Sequence, residues 1–326
     1  MSDVKVRVKV FGFKWMIGVL CLLMASFSGI STAKQYKISV VLKALNSDYW
    51  KTVASGVNAA AAKYGVDVSI IGPSAETQVM EQFNMLQDQV TKNIDALVVA
   101  PLRPQATIPV FEQAKKANIP ILLIDTNAAW DDKVTFIGTG NYNAGRKAGE
   151  YFSKKMPKGG NVIIIRGAMG DATHDERANG FSDVVKNSKI KILEVQPADS
   201  ERGKGMDVMQ NLLQSHPGQI DGVYCTNDEM ALGALRAVTT ANIKKKIMIV
   251  GFDGSPDALK SIRDGGLTGT IKQDAYGIGY EGIEYAVKCL NGEKIAKTID
   301  VPTVVVDKTN VKQNIEAAEK IVGHKL

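Results

Sequence analysis

Apolar and polar residues alternate along the chain in blocks that predict short buried strands separated by amphipathic helices. After Tyr36, apolar runs predict strands at residues 38–42, 66–71, 96–99 and 121–124, with helices beginning near Trp50, Glu76 and Pro104. A second series has strands near residues 162–165, 190–195, 222–224 and 247–250, and helices at 141–155, 173–187, 201–214 and 227–238. Short apolar strands joined by helical crossovers are typical of parallel sheets covered on both faces.

The two series also resemble each other in sequence. Residues 93–99, NIDALVV, correspond to residues 219–225, QIDGVYC, and in each series a later strand ends in an aspartate, Asp125 or Asp253. Gly56 and Gly180 lie in the helix that follows the first strand of each series. We therefore predict a duplicated unit, which gives two doubly wound lobes.

The pattern changes after residue 250, where a strand at 267–272, a helix at 276–290 and a strand at 301–306 remain. We expect the chain to cross between the lobes near residues 138–141, 273–274 and 300–302. The predicted fold is α/β, with two doubly wound parallel-sheet lobes joined by a three-stranded hinge that restricts motion to lobe closure. The predicted N-terminal lobe comprises residues 34–138 and 274–300, and the C-terminal lobe comprises residues 139–273 and 301–326.

The first 33 residues have the pattern of a secretory signal peptide. An apolar stretch at residues 15–27, too short to span a membrane as a helix, follows four basic residues: Lys5, Arg7, Lys9 and Lys14. Small residues up to Ala33 favour cleavage near that position. We expect a cleaved, soluble protein outside the cytoplasm, with an uncleaved membrane anchor as the alternative.

Composition narrows the classes of partner. The chain has 326 residues, of which 45% are hydrophobic and 23% charged, as in soluble globular proteins. Loss of residues 1–33 removes four Lys/Arg and one Asp, so the formal net charge falls from +6 to +3. Because the rest of the chain has no basic block interleaved with aromatic residues, we expect no nucleic-acid partner.

Cysteine and histidine usage argues against a disulfide or a metal centre. Only Cys225 and Cys289 remain after cleavage, and we expect both to be unpaired thiols, with a disulfide as the alternative. The three histidines are scattered without the spacing of metal ligands, so we expect no metal site and no cofactor.

Polar residues follow the predicted strands at their carboxyl ends, where open α/β sheets bind ligands. If the two sheets face each other across a cleft, nine side chains converge there: Lys43, Ser47, Tyr49, Trp50, Asp125, Arg177, Asn227, Asp253 and Gln273. Carboxylates accept hydrogen bonds, Lys and Arg donate them, and amides do both, which suits a ligand with many hydroxyl groups. Tyrosine and tryptophan offer flat surface for the C–H face of a sugar. The set predicts a site for a small polyhydroxylated ligand.

Each of these residues also has a purely structural interpretation. Asn227 lies where a strand runs into a helix and could serve only as the helix cap. Lys43 and Arg177 could be solvated surface charges, and Trp50 could be a core residue. The matched strand-end aspartates favour a site, so we assign a ligand contact to Asn227 and the helix cap to Asp228.

Four motifs resemble one known family over nearly the whole mature chain. They are VVLK at 40–43 followed by Tyr49-Trp50, QPAD at 196–199, NDEMALGA at 227–234 and GFDG at 251–254. The chain resembles the periplasmic sugar-binding proteins of the ribose/allose group, the type I receptors of ABC importers. The resemblance implies a periplasmic location, an ABC permease with its ATPase as partner, and these sugar contacts: Tyr49, Trp50, Asp125, Arg177, Asn227, Asp253 and Gln273. Lys43 is similar to the lysine of allose-type members.

Four pocket positions depart from the family pattern. Ser200 stands where members carry a large aromatic residue, and Thr126 where ribose-type receptors carry arginine. Ser47 replaces a residue that is often asparagine, and Ala100 replaces a polar side chain. The pocket thus has more room on the second lobe, which leaves a larger, differently oriented or acyclic ligand open, such as a polyol.

We predict a non-enzymatic, monomeric receptor that closes around a monosaccharide or related polyol and delivers it to an ABC importer. The alternative is a sugar sensor that presents its ligand to a chemoreceptor or histidine kinase. A sugar-responsive repressor of this fold would need an N-terminal helix-turn-helix, but residues 1–33 have the pattern of a signal peptide. The sequence also has no nucleophile elbow or phosphate loop that would support an enzyme. We expect alanine at Asp125 or Arg177 to abolish binding without changing the melting point of the unliganded protein.

Overall fold

A computed structural model describes residues 35–323 and residue 325. The predicted signal peptide, residues 1–33, lies outside the described residues. Every helix in the described part is too short or too polar to cross a lipid bilayer.

Helices and strands alternate along most of the described chain. In chain order the elements are β1 (Lys37–Val41), α1 (Asp48–Tyr64), β2 (Asp67–Ile71), α2 (Val79–Thr91), β3 (Ala96–Val99), α3 (Pro104–Lys116), β4 (Ile121–Ile124), β5 (Phe136–Gly138), α4 (Asn141–Lys155), β6 (Gly160–Arg166), α5 (Ala172–Val185), β7 (Ile190–Pro197), α6 (Arg202–Ser215), β8 (Gly222–Cys225), α7 (Asp228–Thr240), β9 (Met248–Asp253), α8 (Pro256–Asp264), β10 (Gly269–Lys272), α9 (Ala275–Leu290), β11 (Thr298–Asp300), β12 (Val304–Asp307) and α10 (Val311–Val322).

The strands form two six-stranded sheets with matching strand orders, β11-β5-β4-β3-β1-β2 and β12-β10-β9-β8-β6-β7. We call the first sheet with its helices the first lobe and the second sheet with its helices the second lobe. The chain changes sheet three times, between β5 and β6, between β10 and β11, and between β11 and β12. The predicted α/β architecture of two doubly wound lobes is therefore confirmed.

Each sheet is packed on both faces, which follows from alternation along its strands. In β1, Ile38 and Val40 join one apolar core and Val41 joins the core on the opposite face. In β8, Val223 and Tyr224 separate in the same way. The central strands are buried throughout, so both lobes hold their strand ends on a rigid base.

Two glycines show that the duplicated pattern has a physical basis. A Cβ atom on Gly56 of α1 would lie 2.0 Å from the carbonyl oxygen of Tyr276 in α9. A Cβ atom on Gly180 of α5 would lie 2.0 Å from the carbonyl oxygen of Tyr142 in α4. In each lobe a glycine thus lets the helix after the first strand approach its neighbouring helix closely.

The structure differs from the sequence prediction in the number of elements, in the direction of one strand and in the start of one helix. β5, α8, β11 and α10 were not predicted, and β12 pairs with β10 in the antiparallel direction, so the second sheet is mixed at one edge. Helix α2 begins at Val79 rather than near Glu76. The amide oxygen of Gln78 accepts from Ser74 Oγ and Ala75 N, at 2.6 and 2.9 Å, which holds a turn there and leaves Glu76 outside the helix.

Candidate functional site

The carboxyl ends of the two sheets enclose one polar pocket. Its empty space, open solvent included, is about 550 Å³. Eight of the nine predicted site residues line it: Lys43, Ser47, Tyr49, Trp50, Asp125, Arg177, Asn227 and Asp253. The ninth, Gln273, lies behind Asp253 and lines a neighbouring cavity instead.

Asp125 is the centre of the first-lobe wall. It follows β4, is 5% exposed, and accepts hydrogen bonds from Tyr49 Oη and Thr126 Oγ1, both at 2.7 Å. Lys43 Nζ lies 3.6 Å from Asp125 Oδ1. Burial and the negative charge of Asp125 raise the pKa of Tyr49 well above its ordinary value, so the phenol remains a hydrogen-bond donor. These contacts fix the direction in which Asp125 presents its remaining lone pairs to the pocket.

Two aromatic side chains from the start of α1 form the apolar part of the pocket. The Tyr49 and Trp50 rings meet edge to face, with centroids 4.9 Å apart, and Trp50 Nε1 donates to Glu76 Oε1 at 2.8 Å. Ser47 caps the same helix, because its Oγ accepts from the backbone N of Trp50 at 3.4 Å. The cap, the aromatic pair and Glu76 together hold flat apolar surface at the pocket, as the sequence predicted for a sugar ring.

Arg177 of α5 carries the second-lobe wall. Its Nε donates to Asn141 Oδ1 at 2.8 Å and its Nη1 to the carbonyl oxygen of Thr226 at 2.9 Å. The guanidinium lies 3.7 Å from the centroid of the Phe252 ring, and Nη1 lies 3.7 Å from Asp253 Oδ1. Arg177 is therefore part of the fold of the second lobe as well as of the pocket lining, and is not a solvated surface charge.

Asp253 ends β9 in the position that corresponds to Asp125. Gln273 Nε2 donates to Asp253 Oδ1 at 2.8 Å, and Gln273 Oε1 accepts from Thr139 Oγ1 at 2.8 Å. Burial raises the pKa of Asp253 well above its ordinary value, although the charge of Arg177 opposes this. Asp253 is thus the pocket end of a hydrogen-bond chain that runs from Thr139 through Gln273.

The assignment of the helix cap at α7 was wrong. Asn227 is the cap, because its Oδ1 accepts from the backbone N of Met230 at 2.9 Å. Asp228 instead accepts from Ser255 N and Thr270 Oγ1, both at 2.7 Å, and so joins α7 to the β9–α8 loop. Asn227 still lines the pocket, and its Nδ2 donates to the carbonyl oxygen of Ser200 at 3.2 Å.

Sequence reasoning missed several polar groups at the site. His174 is 3% exposed, with Nδ1 2.8 Å from Thr226 Oγ1 and Nε2 3.0 Å from Ser200 Oγ. Glu76 lines the pocket from the loop before α2, and its pKa is lowered because His174 and the charge of Lys43 outweigh the effect of burial. Glu76 lies in the loop after β2, so it could have been predicted as a site residue because ligands bind at the carboxyl ends of strands. The sequence pattern instead predicted that a helix begins at Glu76.

Three ligand atoms of a possible cation site come within 4.8 Å of one another, one each from Glu76, Asp171 and His174. Lys43 Nζ already lies 3.0 Å from Asp171 Oδ2. The ammonium group of Lys43 therefore supplies positive charge next to Glu76, Asp171 and His174.

Backbone strain is concentrated at the pocket. Among residues 35–323, six non-glycine residues have positive φ, and four of them line the pocket: Asp125 at 61°, Asp199 at 52°, Ser200 at 65° and Asp253 at 121°. Such conformations are uncommon outside glycine and often occur at functional sites. The strain sets the directions of both strand-end aspartates and of the turn that carries Ser200.

The chain is similar in sequence to known proteins. Residues 38–294 match the family model described as periplasmic binding protein domain. The chain is 36% identical over 286 residues to the ribose import binding protein RbsB of Salmonella typhimurium. The matched region covers 88% of this chain and 95% of that protein. It is 33% identical over 295 residues to the D-allose-binding periplasmic protein of Escherichia coli, covering 88% and 93%.

A solved structure gives the same result. A carbohydrate transporter solute-binding protein from Agrobacterium radiobacter, in complex with D-arabinose, has a TM-score of 0.82 and 30% sequence identity over 88% of this chain and 99% of that chain. These relatives are binding proteins, which confirms the prediction of a binding protein rather than an enzyme. The chain belongs to the periplasmic binding protein family.

Proposed function

We propose that this protein is the extracytoplasmic substrate-binding component of an ABC importer and holds one monosaccharide or related polyol between its two lobes. The observation that carries the proposal is the pocket between the strand ends of both sheets, with Asp125 and Tyr49 on one wall and Arg177 and Asp253 on the other. Groups that bind the same hydroxyl-rich molecule from both lobes favour the closed arrangement over the open one.

The mixture of donors and acceptors supports a neutral polyhydroxylated ligand. Each hydroxyl group both gives and takes a hydrogen bond, and the wall offers carboxylates, cations and the Asn227 amide. The proposed ligand-binding set is Lys43, Ser47, Tyr49, Trp50, Asp125, Arg177, Asn227, Asp253 and Gln273, with Gln273 acting through Asp253. Named relatives bind ribose and D-allose, which supports a monosaccharide-sized ligand.

The same reasoning extends to domains, location and partners. Sheet membership supports an N-terminal lobe of residues 34–138 and 274–300 and a C-terminal lobe of residues 139–273 and 301–326. The basic and apolar pattern of residues 1–33 and the family support export to the periplasm, with an ABC permease and its ATPase as partners. The ribose relative is named as an import protein, which supports a transport role rather than a sensor role.

A thermal-shift screen of the exported protein against pentoses, hexoses and the corresponding polyols tests the proposal. A ligand at about a hundred times its dissociation constant stabilises the native state by about 2.7 kcal/mol, which raises the melting temperature measurably. We expect a shift with at least one member of the panel and none for the same ligand with the Asp125→Ala protein. The absence of a shift with every sugar and polyol would contradict the proposal.

A further inference from the structure

The two lobes touch each other directly along one side of the pocket. Lys43 follows β1 and its Nζ lies 3.0 Å from Asp171 Oδ2. Arg103 follows β3 and its Nη2 donates to the carbonyl oxygen of Met169 at 3.0 Å. Both second-lobe residues belong to the loop between β6 and α5. This loop therefore contacts two side chains of the first lobe directly, Lys43 after β1 and Arg103 at the start of α3.

The ammonium group of Lys43 is largely used by the second lobe. It donates to Asp171 Oδ2 at 3.0 Å and to Thr173 Oγ1 at 3.3 Å, and lies 3.6 Å from Asp125 Oδ1 on its own lobe. Lys43 and Asp171 are each 2% exposed. An ammonium group has three N–H bonds, so two point across the cleft and one remains for Asp125 and the pocket.

Asp171 contacts the pocket lining through Lys43 and Thr173. It is not part of the pocket lining. Its Oδ1 caps α5 by accepting from Thr173 N at 2.9 Å and from Thr173 Oγ1 at 2.5 Å, while Oδ2 faces Lys43. The two oxygens of this carboxylate thus have different partners. Oδ1 caps α5, and Oδ2 accepts from Lys43 of the first lobe.

The electrostatics indicate that the pair attracts more strongly than burial opposes it. Burial lowers the pKa of Lys43, but the charges of Asp171, Asp125 and Glu76 outweigh it, so the pKa is raised above its ordinary value. Burial raises the pKa of Asp171, but the charge of Lys43 and several hydrogen bonds outweigh it, so the pKa lies far below its ordinary range. Both charged forms are therefore favoured where the lobes meet.

We propose that Lys43 and Asp171 form a latch between the lobes that sets the fraction of closed protein, and through it the affinity for every ligand. The inference rests on the proposed function, because it assumes that ligands bind the closed state. The apparent dissociation constant equals the intrinsic one divided by the closed fraction, so weakening the latch weakens all ligands by one common factor. Asp171 is a positioning residue in this arrangement, since it lies outside the pocket lining and acts through Lys43.

The variant that tests the latch is Asp171→Asn. Asparagine is a good helix cap and retains an acceptor for α5, while the charge opposite Lys43 is lost. We expect the radius of gyration of the ligand-free protein, measured by small-angle X-ray scattering, to increase. We also expect the dissociation constants of all ligands that bind to rise by the same factor, about tenfold, with their ranking unchanged.

Two comparisons complete the test. Asp183→Asn on the same helix removes an exposed partner of Lys186 and should change neither the scattering nor the affinities. Adding Lys43→Met to Asp171→Asn should open the ligand-free protein no further than Asp171→Asn alone, because the two charges act as one unit.

An unchanged radius of gyration in Asp171→Asn would overturn the latch, as would a loss of affinity for some ligands and not for others. The scattering measurement needs no ligand. If the wild-type protein bound no sugar or polyol, the proposed function would fail while the scattering would still decide whether the latch exists.

Discussion

Asp125 and Asp253 occupy equivalent positions at the ends of β4 and β9, and both hold their backbone at positive φ, 61° and 121°. They face one pocket from opposite lobes, yet their surroundings differ. Asp125 accepts from Tyr49 and Thr126, whereas Asp253 accepts from Gln273 and lies near Arg177. Each wall thus carries one carboxyl group, and the neighbours of the two groups make the walls chemically unequal.

The hydroxyl of Tyr49 is expected to matter for ligand binding. Tyr49→Phe keeps the ring contact with Trp50 but removes the donor to Asp125 Oδ2. Asp125 then keeps only its contacts with Thr126 and Lys43, so its carboxylate is held less firmly toward the ligand and affinity should fall about tenfold in titration calorimetry. The control is Tyr142→Phe. It removes an exposed hydroxyl of α4 that donates to Asp183 of α5, and it should leave affinity unchanged. Wild-type affinity in Tyr49→Phe would show that Asp125 needs no positioning.

Arg177 is expected to contribute to stability as well as to binding, which revises the prediction made from sequence. Arg177→Met leaves Asn141 Oδ1 and the Thr226 carbonyl without their donor and Asp253 without its nearby cation. The unliganded protein should lose about 2–4 kcal/mol of unfolding free energy in denaturant titration. Lys186→Met, which removes an exposed cation from the same lobe, should cost little. An unchanged unfolding midpoint in Arg177→Met would refute a structural role.

Stability is expected to fall as pH rises through the range set by Asp228. Burial raises the pKa of Asp228 from 3.8 to about 7. The folded state therefore binds a proton that the unfolded state has released, so this stabilisation is complete below about pH 4 and is lost as pH approaches about 7.

Asp228→Asn should flatten that fall in melting temperature, because an amide can still accept from Ser255 N without titrating. Calorimetric scans between about pH 4 and pH 8 measure the effect, and a smaller slope remains because burial also raises the pKa values of Asp253, Glu176 and Glu281. Parallel pH profiles for Asp228→Asn and the wild type would contradict the assignment.

Because α5 contacts α4 closely at Gly180, adding one methyl group there should lower the free energy of unfolding. A Cβ atom in Gly180→Ala would lie 2.0 Å from the Tyr142 carbonyl, so we expect a loss of roughly 2 kcal/mol or more in unfolding free energy. The control is Gly203→Ala in α6. The added Cβ atom would have no atom of another element within 4 Å, so alanine should stabilise the protein by up to about 1 kcal/mol. Equal stabilities of the two variants would show that the helices can separate without cost.

Local patterns were sufficient to predict the two lobes and eight of the residues that line the pocket. Asp125 and Asp253 were found because a polar residue that ends a buried apolar run is visible in sequence. Helix α8 could have been predicted too, since Ser255 and Pro256 form a typical helix start and Gly265 ends the helix with φ 87°. The antiparallel direction of β12 was not predictable in this way, because it depends on where the chain returns after β11.

The contacts across the cleft were beyond local patterns for a different reason. Lys43 and Asp171 are far apart in sequence, and their pairing depends on how closely two separate lobes approach each other. The same holds for His174, whose partner Ser200 comes from the turn after β7. Each of these residues alone is an ordinary polar side chain, so only the assembled fold shows that they meet.

Titration calorimetry of the protein and its Asp125→Asn variant, with a ligand found in the thermal-shift screen, tests the central claim most directly. Asparagine retains the shape of Asp125 but removes its charge, which the ligand and Tyr49 both use in the proposed site. We predict one ligand per wild-type chain and an affinity up to about a hundredfold weaker in the variant. Equal affinity of the two proteins would contradict a binding site between the lobes at Asp125.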